Sequence, residues 1–374
     1  MQPKLRIGVI FGGRSGEHEV SLVSATAVIN ALDRKKYEIV PIGITPEGRW
    51  VNSATVLQML KEKSDVTHEP ERFLVPEPGR QALFSTDGTA GADFRVDVVF
   101  PLVHGTYGED GTLQGLLELA NIPYVGAGVL GSALGMDKIA QKMIFADSGL
   151  TIPKYTWVLS SRCRQDMKGV VKETERRLSY PMFVKPANTG SSVGISKAHD
   201  RKELMAGITM AMTYDRRVLV EQGVRNAREI EVSVLGNDDP EASFPAEVIP
   251  SNEFYDYDAK YVDGKSAVVI PTDLPKNVIK EVRKLAVEAF KVLDCCGMAR
   301  VDFFVTKKKN KIYLNEINTI PGFTSISMYP KMWEASGISY GELLNRLISL
   351  ALERHEEKNA LKRKYEPAKE WYKE

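Results

Sequence analysis

Three apolar runs rich in β-branched residues, LRIGVIF (5–11), YEIVPIGIT (37–45) and VDVVFPLVH (96–104), confine what the first third of this chain can fold into. Short apolar runs of this kind mark strands buried on both faces, the habit of parallel sheets. The first run closes on Gly12-Gly13 and gives way to a helical stretch that opens at Ser21 and ends near Leu32. The third passes through a glycine-punctuated turn into the helix TLQGLLELA (112–120). Such alternation implies an open α/β sheet for roughly the first 125 residues. Residues 51–95 are polar, with Pro76, Pro78, Gly79 and a Thr-Asp-Gly-Thr turn at 86–89, and read as an insertion or long surface excursion.

Further along, the pattern changes. A helix is predicted near 129–148, carrying Lys138. The strand PMFVKPA (181–187) leads through NTGSSVG into ISKA, a helix covers about 201–214, and VLVEQGV (218–224) is a strand. REIEVSVLG (228–236) and ASFPAEVIP (242–250) read as longer, antiparallel strands. After an irregular 251–267, the helix 276–293 precedes RVDFFV (300–305) and KIYLNEIN (311–318), which TKKKN joins as a hairpin. A last helix from about Tyr340 runs into a mixed-charge tail at 353–374.

The 374 residues suffice for two or three cores at about 150 residues each. Lys and Arg number 50 against 49 Asp and Glu, so no overall field draws nucleic acid or an anionic membrane. No window nears the ~18 uninterrupted apolar residues of a membrane span. The opening MQPKLRIGVIFGG lacks the apolar core of a signal peptide. Cys163, Cys295 and Cys296 match neither a disulfide framework nor zinc spacing, and read as reduced core thiols. A cytoplasmic, multidomain enzyme is the expectation.

The hairpin 300–318 carries the clearest chemistry. Residues two apart on a strand share a face, so Arg300 points with Asp302, and Leu314, Glu316 and Asn318 point together. With the turn centred near Lys309, Asp302 lies opposite Glu316 and Arg300 near Asn318. Two carboxylates so placed repel by several kcal/mol at an effective dielectric of about 20. A divalent cation reverses that sign, and Asp, Glu and Asn are hard oxygen ligands of the kind magnesium accepts. The plain alternative is a surface hairpin whose acids face water.

Other segments are weaker alone. Asn188–Gly194 can form a backbone nest for phosphate, with Lys185 just before it, or simply a small-residue turn. Gly12–Ser21 lacks the spacing of a dinucleotide-binding turn, but it places Glu17 at the carboxyl edge of the sheet, where α/β proteins bind ligands. There Glu17 can meet a substrate ammonium or merely cap the helix. His104 ends another strand of that sheet, as a substrate contact or a solvated loop histidine. The aromatics Phe254, Tyr255, Tyr257 and Tyr261 make 251–267 a plausible lid.

Together, GGRSGEHEVS (12–21), HGTYGEDGTLQG (104–115), MDK (136–138), VKPANTGSSVG (184–194), FYDYDAKY (254–261), ARVDFF (299–304) and NEINTIPGFTSISMYP (315–330) resemble, in order, the motifs of D-alanine–D-alanine ligases of the ATP-grasp superfamily. The resemblance implies an α/β and α+β, three-domain ATP-grasp fold: an N-terminal open α/β domain (1–126), then two subdomains of antiparallel sheet plus helices (127–224 and 225–374). It implies ATP, with Mg²⁺ or Mn²⁺ in two-ion form, as cofactors, two D-alanine molecules as substrates, and a homodimer serving peptidoglycan synthesis. Lys138, Lys185 and Lys260 match phosphate contacts, alongside Ser191 and Ser192. Glu221 matches the acid that reads the adenine amine, with Gln222, Gly223 and Val224 beside it, and Glu229 the ribose acid. Asp302, Glu316 and Asn318 match metal ligands. Glu17 and His104 match the first D-alanine site, Ser327 and Met328 the second. Arg300 and Gly322 match oxyanion stabilisers, and Tyr261, Ser191 and Glu17 a hydrogen-bonded triad. D-serine or D-lactate as second substrate is the alternative within the family.

Overall fold

The computed structural model describes residues 3–69, 71–81, 83–85, 95–249, 267–324 and 326–366. Its first sheet has the order β3-β2-β1-β6, from β1 (Leu5–Gly12), β2 (Tyr37–Ile44), β3 (Trp50–Val51) and β6 (Val98–Pro101). β1 runs parallel to both β2 and β6, as the unbroken apolar runs predict. At the end of β1 the chain turns sharply through Gly12 and Gly13, at φ 86° and 104°. A side chain on Gly12 would collide with the Ile44 carbonyl, so glycine is required there.

α1 (His18–Ala31) begins three residues before the expected Ser21. Ser21 does not cap it: its hydroxyl accepts from Gly12 N at 2.7 Å and donates to Leu102 O at 2.5 Å, clamping the turn between two strand ends. The segment read as a surface excursion holds more structure than expected. It contains β3, α2 (Val56–Lys61) and the antiparallel pair β4 (Arg72–Leu74) and β5 (Leu83–Ser85). Val51 of β3 is buried in the main core with Val56 and Leu60, which lie four apart on one face of α2. The Thr-Asp-Gly-Thr turn falls outside the described residues. α3 (Thr112–Leu119) follows β6.

The helix expected over 129–148 is two helices, α4 (Val129–Met136) and α5 (Lys138–Asp147). Asp137 leaves helical geometry and accepts from Ile139 N and Ala140 N, ending one helix and capping the next.

The second sheet is antiparallel, in the order β7-β10-β8-β9: β7 (Tyr155–Leu159), β8 (Met182–Pro186), β9 (Ser196–Ala198) and β10 (Arg217–Gln222). α6 (Ser160–Arg177) and α7 (Arg201–Ala211) share its apolar core. The third sheet runs β14-β13-β11-β15-β16, with β12 (Glu241–Ala242) also on β11. Its strands are β11 (Ala227–Gly236), β13 (Ala246–Ile249), β14 (Ala267–Val269), β15 (Gly297–Thr306) and β16 (Ile312–Asn318), all antiparallel. α8 (Lys276–Val292) buries Val278, Val282, Ala286, Ala289 and Phe290 against it. α9 (Met328–Ala335) and α10 (Tyr340–Ala360) then return to the first sheet. Phe323, Tyr329, Trp333 and Leu347 join Val9, Phe11 and Phe100 in one cluster.

The hairpin β15–β16 has the register expected at its functional end: Arg300 faces Asn318 and Asp302 faces Glu316. One expectation fails. The ladder slips after Asp302, where Phe303 pairs with Leu314 and leaves Asn315 as an extra residue. This bulge turns Leu314 to the other face, so it packs at 2% exposure beside Phe303 and Ile317 instead of pointing with Glu316.

Candidate functional site

A cleft of about 430 Å³ opens between the second and third sheets. Lys185, Phe183 and Glu221 to Val224 form one wall; Glu229, Glu231, Arg300, Asp302 and Glu316 form the other. Beside it a cavity of about 60 Å³ is lined by Lys138, Glu109, the 189–192 loop, Arg300 and Glu316 to Thr319. Residues predicted from distant parts of the chain therefore meet in one place.

The basic wall is built on β8, β10 and α5. Lys185 Nζ donates to Glu221 Oε2 at 2.8 Å. The other Glu221 oxygen pairs with Lys142, a residue absent from the sequence expectations, and all three side chains are buried. Burial alone would raise the Glu221 carboxyl, but the two ammonium groups outweigh it and hold it below the usual range. Burial pushes Lys142 down. Its signal was legible as spacing: Lys138 and Lys142 lie one turn apart on a face otherwise made of Ile139, Gln141 and Phe145. Lys138 Nζ donates to Thr189 O at 2.5 Å, tying α5 to the small-residue loop. In that loop Ser191 and Ser192 hold left-handed backbone at φ 47° and 62°, a conformation non-glycine residues seldom keep without cause.

On the acidic wall, Arg300 binds Asp302 through Nε and a terminal nitrogen, both at 2.7 Å, and approaches Glu231 at 3.3 Å. Asn318 Nδ2 donates to Asp302 at 3.1 Å. The repulsion expected between Asp302 and Glu316 is thus offset by a guanidinium. Among the described residues no group of three or more His, Cys, Asp or Glu forms a metal site by itself. The opposed pair Asp302 and Glu316 with the Asn318 amide suits magnesium nonetheless, since that ion completes its shell with phosphate oxygens and water. Manganese accepts the same ligands.

The first sheet contributes Glu17, 8% exposed, whose carboxylate accepts from the Ser191 hydroxyl. Gly105 and Gly190 lie so close that a side chain on either would strike that carboxylate. His104 is not the solvated residue that was one reading. It is 3% exposed, with Nε2 3.0 Å from Ser24 Oγ and Nδ1 3.1 Å from Ile320 O. Both ring nitrogens are engaged by protein, so His104 braces the loop instead of offering a free nitrogen. Glu109, which the sequence reading missed, accepts from Gly105 N at 2.9 Å and Ile320 N at 3.0 Å. Burial and the neighbouring Glu17 push its carboxyl up to about 8. Gly322, Ser327 and Met328 sit apart from the two cavities. Ser327 Oγ accepts from Thr324 N at 3.1 Å just before α9, and Met328 is the first residue of that helix. Lys260 and Tyr261, and with them Phe254, Tyr255 and Tyr257, lie outside the described residues.

Burial lowers the His104 pKa below its ordinary 6.5. A depressed value in the folded state means a stability contribution present above 6.5 and lost as pH falls. In His104→Gln, which keeps a donor and an acceptor but cannot charge, the drop in melting temperature from pH 7 to pH 5 should be shallower than in the parent. Parallel melting-temperature profiles across that range check it, and equal slopes contradict it.

An α/β domain joined to two antiparallel sheets, with lysines facing paired carboxylates across the cleft between those sheets, defines an ATP-grasp enzyme. The comparisons narrow this. Residues 6–127 match the family model "D-ala D-ala ligase N-terminus" and residues 144–349 match "D-ala D-ala ligase C-terminus". The D-alanine--D-alanine ligase of Natranaerobius thermophilus is 50% identical, over 95% of this chain and 97% of that protein. That of Thermoanaerobacter pseudethanolicus is 52% identical, over 95% and 98%. Among solved structures, the D-alanine-D-alanine ligase from Coxiella burnetii is 40% identical with a TM-score of 0.82, over 95% of this chain and 96% of that one. The VanG D-Ala:D-Ser ligase from Enterococcus faecalis is 37% identical with a TM-score of 0.83, over 93% and 100%. The chain belongs to the D-alanine–D-alanine ligase family.

Proposed function

We propose that this protein joins two D-alanine molecules into D-alanyl-D-alanine, using ATP and passing through D-alanyl phosphate, with ADP and phosphate released. One observation carries the reading. A single cleft sets Lys185 and Glu221 against Arg300, Asp302 and Glu316, in a chain whose two halves both match ligase models.

A carboxylate is a poor acyl donor because oxide leaves badly, and phosphorylation removes that obstacle. Glu17, fixed by Ser191, would hold the ammonium of the first D-alanine while His104 braces the loop beside it. The carboxylate of that D-alanine would attack the γ-phosphate of ATP, ADP leaving as the acyl phosphate forms, and charge grows on the phosphoryl oxygens. Lys138, Lys185 and Lys260, with the 190–192 amides, would meet that charge. Magnesium or manganese, held by Asp302, Glu316 and Asn318, would screen the repulsion between phosphate oxygens. Glu221 with the backbone of Gln222 to Val224 would take the adenine, and Glu229 the ribose. The amine of the second D-alanine then attacks the acyl carbon, its carboxylate at Ser327 and the Met328 amide, where the start of α9 favours an anion. Arg300 and the Gly322 N–H would stabilise the tetrahedral oxyanion, and Tyr261 would complete the contact between lid and first subsite. Holding both substrates in register can supply several kcal/mol of the barrier.

The domains proposed are 1–126, 127–224 and 225–374, and the last boundary is supported by the second sheet ending at Gln222 and the third beginning at Ala227. Among the described residues no helix is long and apolar enough to cross a membrane. A cytoplasmic homodimer that feeds peptidoglycan precursor synthesis fits this reading. D-serine as acceptor is favoured only by the VanG likeness, against the D-alanine--D-alanine ligases of Natranaerobius and Thermoanaerobacter at 50% and 52% identity.

The test is ADP release with product identification. ADP should appear only when D-alanine is added, together with D-alanyl-D-alanine. ADP release indifferent to D-alanine would overturn the reading. A mixed product formed preferentially with D-serine or D-lactate would shift it to the second substrate class.

A further inference from the structure

Lys142 is buried behind the cleft wall, at 2% exposure, and pairs with one oxygen of Glu221. Lys185 holds the other oxygen. The two lysines differ in where they face: Lys185 lines the cleft and Lys142 does not. Lys142 Nζ also donates to Asn315 O at 3.2 Å, the extra residue of the β16 bulge, so it is anchored from the third sheet while it holds an acid of the second. One carboxylate therefore has two cations, of which only one can reach a ligand.

We propose that Lys142 is a positioning residue that sets nucleobase preference: it is the fixed counter-ion that keeps Glu221 ionised, as an acceptor for the adenine amine, when Lys185 turns from Glu221 to phosphate. The inference rests on the ATP reading above. A carboxylate 2% exposed and stripped of both cations would take up a proton rather than stay charged. A protonated acid donates a hydrogen bond, which suits a 6-oxo purine and not a 6-amino one. The direction of the shift on Glu221, held low by both lysines against burial, agrees with this arrangement.

The experiment compares ATP with ITP, its 6-oxo counterpart, in wild type, Lys142→Met and Lys142→Arg with saturating D-alanine. Lys142→Met should raise KM for ATP by about tenfold or more and shrink the ATP-over-ITP preference by a similar factor, as loss of a hydrogen bond to a charged group does. KM for the first D-alanine, read separately at saturating ATP, should move by less than about twofold, because Glu17 of that subsite stands on the first sheet and meets Ser191 rather than Lys142. Lys142→Arg, which keeps the charge, should restore the preference. A lysine that serves only the fold would lower the melting temperature and leave the nucleotide preference intact.

Should Lys142→Met not fold, the pair Glu221→Gln and Glu221→Gln/Lys142→Met carries the test, since no unpaired buried carboxylate remains. On that background losing Lys142 should change the preference by less than about threefold. A folded Lys142→Met with unchanged preference, or a change of about tenfold on the Glu221→Gln background, overturns the proposal. Wild type that makes no D-alanine-dependent ADP overturns the ligase reading instead. Wild type that ligates normally while Lys142→Met keeps its preference overturns this inference alone.

Discussion

Glu316→Gln should lower D-alanine-dependent ADP release by about 10²–10³-fold while leaving the protein folded. The side chain is half-buried at the cleft, opposite Asp302, and its strand neighbours Leu314 and Ile317 keep their places in the core. Glutamine has nearly the same shape, so little packing is lost. One negative charge goes, and with it the balance that the opposed pair offers a divalent cation. Asp302 already has Arg300 and Asn318 as partners, so it cannot supply the missing charge alone. Two measurements check this: steady-state ADP release, and calorimetric binding of ATP with and without magnesium. Magnesium should strengthen ATP binding in the parent and do so far less in the variant. Full activity in Glu316→Gln would remove the metal assignment, and with it the account of how the phosphoryl group is steered.

How much of this was legible in the sequence depends on whether the deciding contact was local. The β15–β16 pairing was legible because a two-residue period puts Arg300 with Asp302 on one face, and the charged turn fixes the register. The bulge was not: Asn315 is an ordinary residue, and the slip is decided by Leu314 reaching the core beside Phe303. β7 and α6 went unread, the latter because SSRCRQDMKGVVKETERR buries few apolar residues and so shows little pattern. The break at Asp137 was hidden for a different reason. An aspartate inside a helical pattern reads as a surface acid, and only its bonds to Ile139 N and Ala140 N show it to be a cap. His104 was placed at the right sheet edge, yet its burial depends on Ser24 and Ile320, which lie 80 and 216 residues away. Glu109 likewise meets Ile320 across 211 residues. The family motifs gave His104 a place in the first subsite and gave Glu109 none, and they did not say what either side chain touches.

Phe323→Ala should cost about 3–5 kcal/mol of stability, the range for deleting a buried phenyl ring. The ring is fully buried in the cluster that joins the first sheet to the last helices. It meets Phe100 edge-on at 5.7 Å between centroids, and Tyr329 and Tyr340 at 5.5 and 5.9 Å. Each partner comes from a different element: β6, α9 and α10. Truncation leaves a cavity that none of the three can fill without moving the others, so the cost sits at the upper part of the range. Tyr340 also donates to the Phe323 carbonyl at 2.6 Å, which ties the backbone of this turn to α10. Gly322 is the preceding residue, and Ser327 Oγ lies close enough that a side chain on Gly322 would crowd it. A shift of the turn therefore misplaces the amide assigned to the oxyanion, and kcat should fall in the part of the protein that still folds, with KM for ATP nearly unchanged. Denaturant unfolding gives the first quantity and steady-state kinetics below the variant's melting temperature the second. A stability loss under about 1 kcal/mol would show that this ring does not hold the two regions together.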